Sequence, residues 1–314
     1  MTENNSLVGV EFLMRSVNYR VILVQVLVAL FLCVNSLLIT TFFMKDFFYT
    51  TLRYILFAIT LLSDCLILIV TDILLIFDYF RLTMQMRLCV IFYILSSVYS
   101  LVTPVTLMAM TLERYVAICM PLRHAELCST RSTGTVRCII IIHCISSVPC
   151  IVILLAFFAS ASLSLYSQYK ICSAEILFLH SWQSHFISAI YQLYFLIMCI
   201  TVVFSYVKIM KVAKAASGED KKSSRKGLRT VILHGFQLLL CLIQMWCPFI
   251  NSAVLEVNFM LYINVRYFNF ITFYLAPRCL SPLIYGLRDE KFFHALKYYT
   301  LCCLCRNFFI HLTN

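Results

Sequence analysis

Seven apolar stretches, each long enough to cross a lipid bilayer as a helix, dominate this sequence. A helix needs about 20 predominantly apolar residues to cross the hydrocarbon core. The sequence lacks the alternating apolar and polar segments of a membrane β-barrel. The backbone N–H and C=O groups inside the membrane must therefore be hydrogen-bonded within helices. We predict an all-α membrane protein, a seven-transmembrane helix bundle, with spans near Val21–Phe43, Tyr54–Phe77, Leu88–Cys119, Val136–Phe158, Phe186–Ala213, Leu228–Ile250 and Leu261–Leu287.

The composition argues against a soluble domain. Apolar residues make up 62% of the 314 residues and charged residues only 12%, whereas a soluble domain carries roughly twice that charged fraction. The net charge of +11 would also suit a nucleic-acid-binding protein. The lysines and arginines, however, lie in short clusters between the apolar stretches, which is the pattern that sets membrane topology.

The basic residues also predict the orientation, because cytoplasmic loops are enriched in lysine and arginine. With the N-terminus outside, 18 of the 25 basic residues fall on the cytoplasmic side, eight of them between Lys208 and Arg229. Asn4 begins a glycosylation sequon, which agrees with an outer N-terminus. We predict a cell-membrane protein with an extracellular segment (1–20), a seven-transmembrane domain (21–287) and a cytoplasmic amphipathic helix and tail (288–314).

The placement of the cysteines gives a separate prediction. The chain has 16 cysteines, and most lie inside apolar stretches, where they behave as small buried hydrophobic residues. Under the predicted topology, Cys89 and Cys172 are the two cysteines that face the oxidising outer side. Two thiols in an oxidising compartment favour a disulfide, so we predict a bond between them.

After the seventh stretch, the sequence RDEKFFHALKYY predicts a short amphipathic helix. Phe292, Phe293, Leu296 and Tyr299 share one helical face, and basic residues lie elsewhere. Such a helix lies on an anionic membrane surface. Cysteines that follow it at once are either palmitoylation sites or reduced surface thiols. Here they are Cys302, Cys303 and Cys305.

Three local motifs carry a resemblance to a known family. The inner end of the third stretch reads MAMTLERYVAIC over Met108–Cys119, followed by MPLRH. LHGFQLLLC covers Leu233–Cys241, and SPLIYGLRDEKF covers Ser281–Phe292. These motifs resemble vertebrate odorant receptors, those of fish in particular, within the rhodopsin-like (class A) G-protein-coupled receptors. Glu113 replaces the family's usual aspartate, and Ser281 its usual asparagine.

The resemblance implies a receptor, not an enzyme, that binds a small odorant outside the cell and activates a heterotrimeric G protein inside. It implies no cofactor and no metal. Arg114 would pair with Glu113 at rest and reach two tyrosines once the sixth helix swings outward. The implied signalling residues are Glu113, Arg114, Tyr115, Tyr206 and Tyr285, and the implied toggle and hinge residues are Trp246, Pro248 and Pro282.

Two charged residues fall near the middle of the membrane. Asp64 lies in the second stretch and Arg278 in the seventh, and the resemblance makes these helices neighbours. A buried charge is costly unless it is paired. Many receptors of the family hold a sodium ion at the acidic residue of the second helix. We predict that Arg278 pairs with Asp64 instead and displaces the ion.

The resemblance also places a ligand cavity between the outer halves of the third, fifth, sixth and seventh spans. Mostly apolar walls with several hydroxyls suit small organic ligands. Asp72, in the outer half of the second span, either meets a cationic ligand or is hydrated near the interface. The expected wall residues are Ser96, Ser97, Ser100, Tyr194, Phe249, Ile250, Tyr267, Ile271 and Tyr274.

Three other functions compete with an odorant receptor. A non-olfactory receptor for a peptide or lipid shares the fold, but the long odorant-type motif disfavours it. A small transporter often contains repeats that relate its two halves, and the sequence shows no such repeat. An intramembrane enzyme needs metal ligands or paired carboxylates that face one cavity, and the sequence contains no motif of that kind.

Overall fold

A computed structural model gives the architecture of the chain. The structure describes residues 2–49, 51–123, 132–160, 168–172, 180–215, 218–280 and 292–298. Two short strands, β1 (Met84–Gln85) and β2 (Tyr169–Lys170), pair antiparallel. The helices are α1 (Thr2–Phe43), α2 (Asp46–Tyr49), α3 (Leu52–Tyr79), α4 (Met86–Cys119), α5 (Ser132–Ser160), α6 (Ser181–Ala215), α7 (Gly218–Val257) and α8 (Phe259–Asn269).

The long helices confirm the predicted membrane bundle. Among the described residues, five helical segments are long and apolar enough to cross a membrane, and a sixth qualifies if the two halves of α7 count as one span. Most of the limits of these segments lie within about two residues of the predicted stretches. The whole helix α1 extends the furthest beyond its predicted stretch, because it begins at Thr2. The five single segments are Tyr19–Phe43, Leu52–Tyr79, Met86–Cys119, Arg137–Phe158 and His185–Val212.

The seventh span is helical but not uniformly α-helical. It begins as α8, after Asn258 caps the helix by accepting hydrogen bonds from the backbone N–H groups of Met260 and Leu261. A π-helical segment, Phe270–Leu275, follows, and residues 276–280 return to α-helix. Pro277 has no N–H to donate to the preceding turn, and an irregular ladder beside it is the expected response.

Helix α4 is the centre of the bundle, because it packs against α3, α5, α6 and α7. Its middle section, residues 101–107, is buried throughout. One of the two threonines there, Thr106, donates its hydroxyl to its own helix. Thr106 donates to the Val102 carbonyl at 2.6 Å, which satisfies a polar group that water cannot reach.

An aromatic cluster closes the end of the bundle that is predicted to face the cytoplasm. Phe292, in the helical residues 292–298, is 1% exposed. Its ring centroid lies 5.2 Å from that of Phe48, 5.5 Å from that of Phe57 and 6.5 Å from that of Tyr54. The short helix after the seventh span is therefore anchored on α2 and α3, while Phe293 points outward.

The outward surface of the bundle is apolar, as a lipid-facing surface must be. Helix α6 shows this best, because many of its large hydrophobic side chains are at least half exposed on the surface of the protein. In water such a continuous apolar surface would promote association, but in a membrane it faces hydrocarbon. Its exposed residues include Leu193, Leu196, Ile197, Ile200 and Val203.

Candidate functional site

A disulfide and a small sheet organise the end of the bundle that is predicted to face outward. Cys89, in the first turn of α4, is bonded to Cys172, and their Cα atoms are 5.5 Å apart. Just before each cysteine the chain forms a strand, with Met84 opposite Lys170. This confirms the predicted bond. The loop that follows α5 is thereby fixed to the outer end of α4.

Side-chain contacts between α1, α3 and α8 fasten the outer ends of these helices together. Asp72 accepts a hydrogen bond from Gln25 at 2.5 Å. Asp78 lies 3.6 Å from Arg266, a pair in which both side chains are partly exposed. Asp72 is thus engaged with α1 and does not stand alone in the outer crevice.

Asp64 and Arg278 lie together at the middle of the bundle. Asp64 Oδ1 is 3.9 Å from Arg278 Nε, and the two side chains are 0% and 1% exposed. Thr103 of α4 donates a hydrogen bond to the same carboxylate oxygen at 2.8 Å. The guanidinium of Arg278 lies 4.3 Å from the ring centroid of Tyr274. Three helices therefore meet at one buried ion pair.

Three polar side chains of α7 bind neighbouring helices within the bundle. Gln237 Nε2 donates to the Pro277 carbonyl at 2.8 Å, and Gln244 Nε2 donates to Ser100 Oγ at 3.2 Å. Asn251 Oδ1 accepts a hydrogen bond from Nδ2 of Asn269 in α8 at 2.9 Å. None of these three hydrogen bonds was predicted from the sequence. Their seven-residue spacing was the signal that could have found them, since it places them on one helical face.

The serine side of the predicted cavity lies on α4. Ser97 is 7% exposed. Its side chain lies close to Tyr93, Cys150 and Tyr191. A group of polar side chains is therefore buried where α4 meets α5 and α6. Ser96 and Ser100 are half-buried beside it.

The other predicted wall residues are more dispersed. Tyr194 donates its hydroxyl to the Ile145 carbonyl of α5 at 2.9 Å, which directs it toward that helix. Tyr267 stacks against Arg20, and no described atom hydrogen-bonds its buried hydroxyl. Tyr274 stacks on Phe270 at 5.1 Å. The remaining members are Ile271, which is half-buried, and Phe249 and Ile250, which are exposed.

At the end of the bundle that is predicted to face the cytoplasm, Arg114 Nε lies 3.7 Å from Glu113 Oε2, and both side chains are largely buried. The Tyr115 ring meets the edge of Phe204 in α6 at 5.5 Å. Tyr206 is half-buried on the same helix. The fifth predicted signalling residue, Tyr285, lies outside the described residues.

The predicted toggle and hinge fall on α7. This helix bends by 44° between Val231–Cys247 and Phe249–Val257, so the bend falls at Pro248, as expected where a proline interrupts the ladder. Trp246 is 44% exposed and meets the edge of the Phe249 ring. Trp246 therefore lies on the exposed face of α7, whereas Gln244 lies on the face that packs against α4.

Several predicted sites cannot be described in atomic terms. Pro282 and the tail cysteines Cys302, Cys303 and Cys305 lie outside the described residues, as does Tyr299 of the amphipathic face. Asn4 lies in the first turn of α1. The roles of these residues stay predictions.

Comparison with known proteins agrees with this architecture. The chain matches the family model "7 transmembrane receptor (rhodopsin family)" over residues 34–285. It is 44% identical over 299 residues to "Odorant receptor 131-2" of zebrafish (Danio rerio). The matched region covers 95% of this chain and 91% of the relative. The resemblance inferred from the motifs is confirmed, and the family is one of receptors, not enzymes. The chain belongs to the rhodopsin family of seven-transmembrane receptors.

Proposed function

We propose that this protein is an odorant receptor, which binds a small extracellular molecule and activates a heterotrimeric G protein at its cytoplasmic face. The similarity over nearly the whole chain to a zebrafish protein named an odorant receptor carries this proposal. The buried polar group of Ser97, Tyr93 and Tyr191 also supports it, because sites for small organic molecules combine apolar walls with a few polar side chains.

Signalling is a change of conformation in this proposal. The contact between Arg114 and Glu113 belongs to the resting state. An agonist must bind the active state more tightly than the resting one, because equal affinity shifts no population. Rotation of the inner half of α7 about the bend at Pro248 would uncover Arg114 for the G protein, and the basic segment from Lys208 to Arg229 would add charge to that surface.

An odorant panel applied to cells that express the receptor tests the function, with cAMP as the readout. At least one small organic molecule should raise cAMP, and Arg114→Ala should abolish the response while surface expression stays close to that of the wild type. No response to any molecule in a well-expressed wild type would contradict the proposal. A full response in Arg114→Ala would contradict the role of that residue.

We also propose that Arg278 takes the place of a sodium ion at Asp64. The guanidinium is 3.9 Å from the carboxylate and almost fully buried, so a cation at the same oxygens would face strong repulsion. The residues present therefore do not fit a sodium ion. Agonist potency should stay constant when sodium is replaced by choline at constant ionic strength. A clear loss of potency as sodium rises would count against this proposal.

The orientation is a further part of the proposal. It places the N-terminus and Cys172 outside and the tail in the cytoplasm, on the strength of the basic-residue distribution. An epitope tag on the tail should bind antibody only after the cells are permeabilised, and a tag at the N-terminus should bind on intact cells. The opposite pattern would overturn the orientation.

A further inference from the structure

Three basic side chains surround the small sheet at the end of the bundle that is predicted to face outward. Arg81 lies three residues before Met84 of β1, and Arg87 lies three residues after it. Lys170 of β2 is paired with Met84 across the sheet. Three residues of chain span at most about 10 Å, and paired residues are closer still. All three basic side chains are exposed, and we call this set the outer basic cluster.

The backbone that carries this cluster is held in place by the fold beneath it. Met84 and Met86 are 4% and 1% exposed, and both belong to an apolar group that includes Cys89 of the disulfide. The backbone N–H of Met86 donates to the carbonyl of Gln168 at 3.0 Å, which joins the segment before β2 to the first turn of α4. The backbone of the outer basic cluster is therefore fixed relative to α4.

Arg81 occupies a backbone conformation that favours glycine. Its φ is 54°, in the left-handed region, where a residue with a Cβ atom is strained. The residue follows the end of α3, and its N–H donates to the Asp78 carbonyl at 3.1 Å, as in the turns that commonly end a helix. A glycine would make the same turn without strain. Arginine at this position therefore adds a positive charge at some cost in stability.

The acidic side chains at this end of the bundle are engaged elsewhere. Asp78 lies 3.6 Å from Arg266, and Asp72 is hydrogen-bonded to α1. Glu256 is exposed, but it lies near the end of α7. Within the part of the chain that the structure describes, no acidic side chain forms an ion pair with the outer basic cluster.

The sequence of the two loops confirms that they are basic. Residues 79–87 contain no acidic residue, and residues 161–180 contain a single one, Glu175. The three members of the cluster are the only lysines and arginines in the same two loops. One acid cannot neutralise three basic residues, so the loops that carry the small sheet keep an excess of positive charge.

We propose that the outer basic cluster attracts organic anions, and that the ligands of this receptor include molecules with a carboxylate or another acidic group. This inference rests on the proposed function and on the proposed orientation. A positive potential at the opening of a site raises the local concentration of anions and speeds their association. It needs no fixed hydrogen bond, so it acts on the charge of a ligand and not on its shape. A neutral molecule of the same shape gains nothing.

The size of the effect depends on the number of charges and on the salt concentration. Three unit charges, each about 10 Å from a bound anion in water, strengthen its binding about twofold at an ionic strength of about 0.15 M and about fivefold at about 0.01 M. The difference arises because the Debye length grows from about 8 Å to about 30 Å. Low salt is therefore the condition that reveals the cluster.

Triple variants of the cluster test the charge directly. Replacing all three members by glutamine removes the charge and keeps a side chain with a Cβ atom at position 81. This variant should lower the potency of a carboxylate about fivefold at about 0.01 M salt, and replacement by glutamate, which reverses the charge, should lower it about twentyfold. The matched control combines Arg81→Lys, Arg87→Lys and Lys170→Arg. It keeps every charge and should leave the potency at the wild-type value.

The experiment measures cAMP dose–response curves for straight-chain carboxylates and for the neutral primary amides of the same chain lengths. Mannitol replaces salt in the external medium at constant osmolarity, and the amides correct for any effect of salt on signalling. In the wild type, the potency of the carboxylate should fall as salt rises, relative to the potency of its amide. In the glutamine variant, this ratio should not depend on salt.

Equal losses of carboxylate and amide potency in the glutamine variant would overturn the inference, because they would point to a structural role or to contact with lipid headgroups. A loss in the charge-conserving variant as large as that in the glutamine variant would overturn it as well. So would a receptor that responds to other odorants but to no carboxylate, and the receptor function would then stand. A wild type that responds to no odorant would contradict the proposed function and this inference with it.

Discussion

Replacing Arg278 by methionine, with the Asp64 carboxylate left in place, tests how the bundle tolerates charge at its centre. The substitution keeps an unbranched side chain of similar reach and removes the guanidinium. Asp64 would retain its hydrogen bond from Thr103 but lose the positive charge 3.9 Å away. The stacking of the guanidinium on Tyr274 would also be lost.

The expected destabilisation is large because both partners are almost fully buried, at 1% and 0% exposure. Removing one member of a buried ion pair costs about 3–5 kcal/mol, since the remaining charge is uncompensated. Adding Asp64→Asn should recover most of this loss, because asparagine is neutral and still offers an oxygen to Thr103. The double variant should then lie within about 1 kcal/mol of the wild type.

Thermal unfolding of the purified receptor in detergent measures this effect. A thiol-reactive fluorophore reports unfolding, because Cys150, Cys241 and Cys247 are buried in the folded state. Arg266→Met is the matched control, since its pair with Asp78 is partly exposed and such pairs contribute no more than about 1 kcal/mol. Arg278→Met should lower the unfolding midpoint far more than Arg266→Met. Equal midpoints for these two variants, or no recovery in the double variant, would refute the reasoning.

Other predictions follow from the outer mouth, the bend and the inner aromatic cluster. Cys89→Ser and Cys172→Ser should reduce surface expression equally, and the double variant should be no worse, as flow cytometry can show. Pro248→Ala should straighten α7 and reduce the maximal agonist response; an unchanged response would exclude the bend as a hinge. Phe292→Ala should cost about 3–5 kcal/mol as a buried aromatic truncation, whereas the exposed Phe293→Ala should cost far less in the same thermal assay.

The spans were predictable because hydrophobic length is a local property of the sequence. A stretch such as Leu88–Cys119 has to be a membrane helix, whatever its neighbours are. The Cys89–Cys172 bond was predictable as well, since topology alone leaves these two cysteines on the oxidising side. The outer pairing of β1 with β2 was not predicted, because two-residue strands carry no periodic pattern.

Contacts between helices were harder to predict, because they depend on how each helix is rotated about its axis. The π-helical segment Phe270–Leu275 shifts the register of the helical residues 276–280, and although Pro277 favours an irregular ladder, it does not specify a π-helix. The contacts of Gln237, Gln244 and Asn251 were not predicted, because the partner of an uncharged polar side chain depends on the rotation of its helix. Trp246 shows the converse, since a family motif identifies the residue but does not fix the direction of its side chain.

The account as a whole claims that ligand binding at the outer half of the bundle controls Arg114 at the inner mouth. Nucleotide exchange on a purified heterotrimeric G protein tests this most directly, with the receptor reconstituted in lipid nanodiscs and the most potent odorant of the panel added. The odorant should accelerate exchange by the wild type and leave exchange by Arg114→Ala at the receptor-free rate. An odorant that binds the wild type without changing the exchange rate would contradict the account.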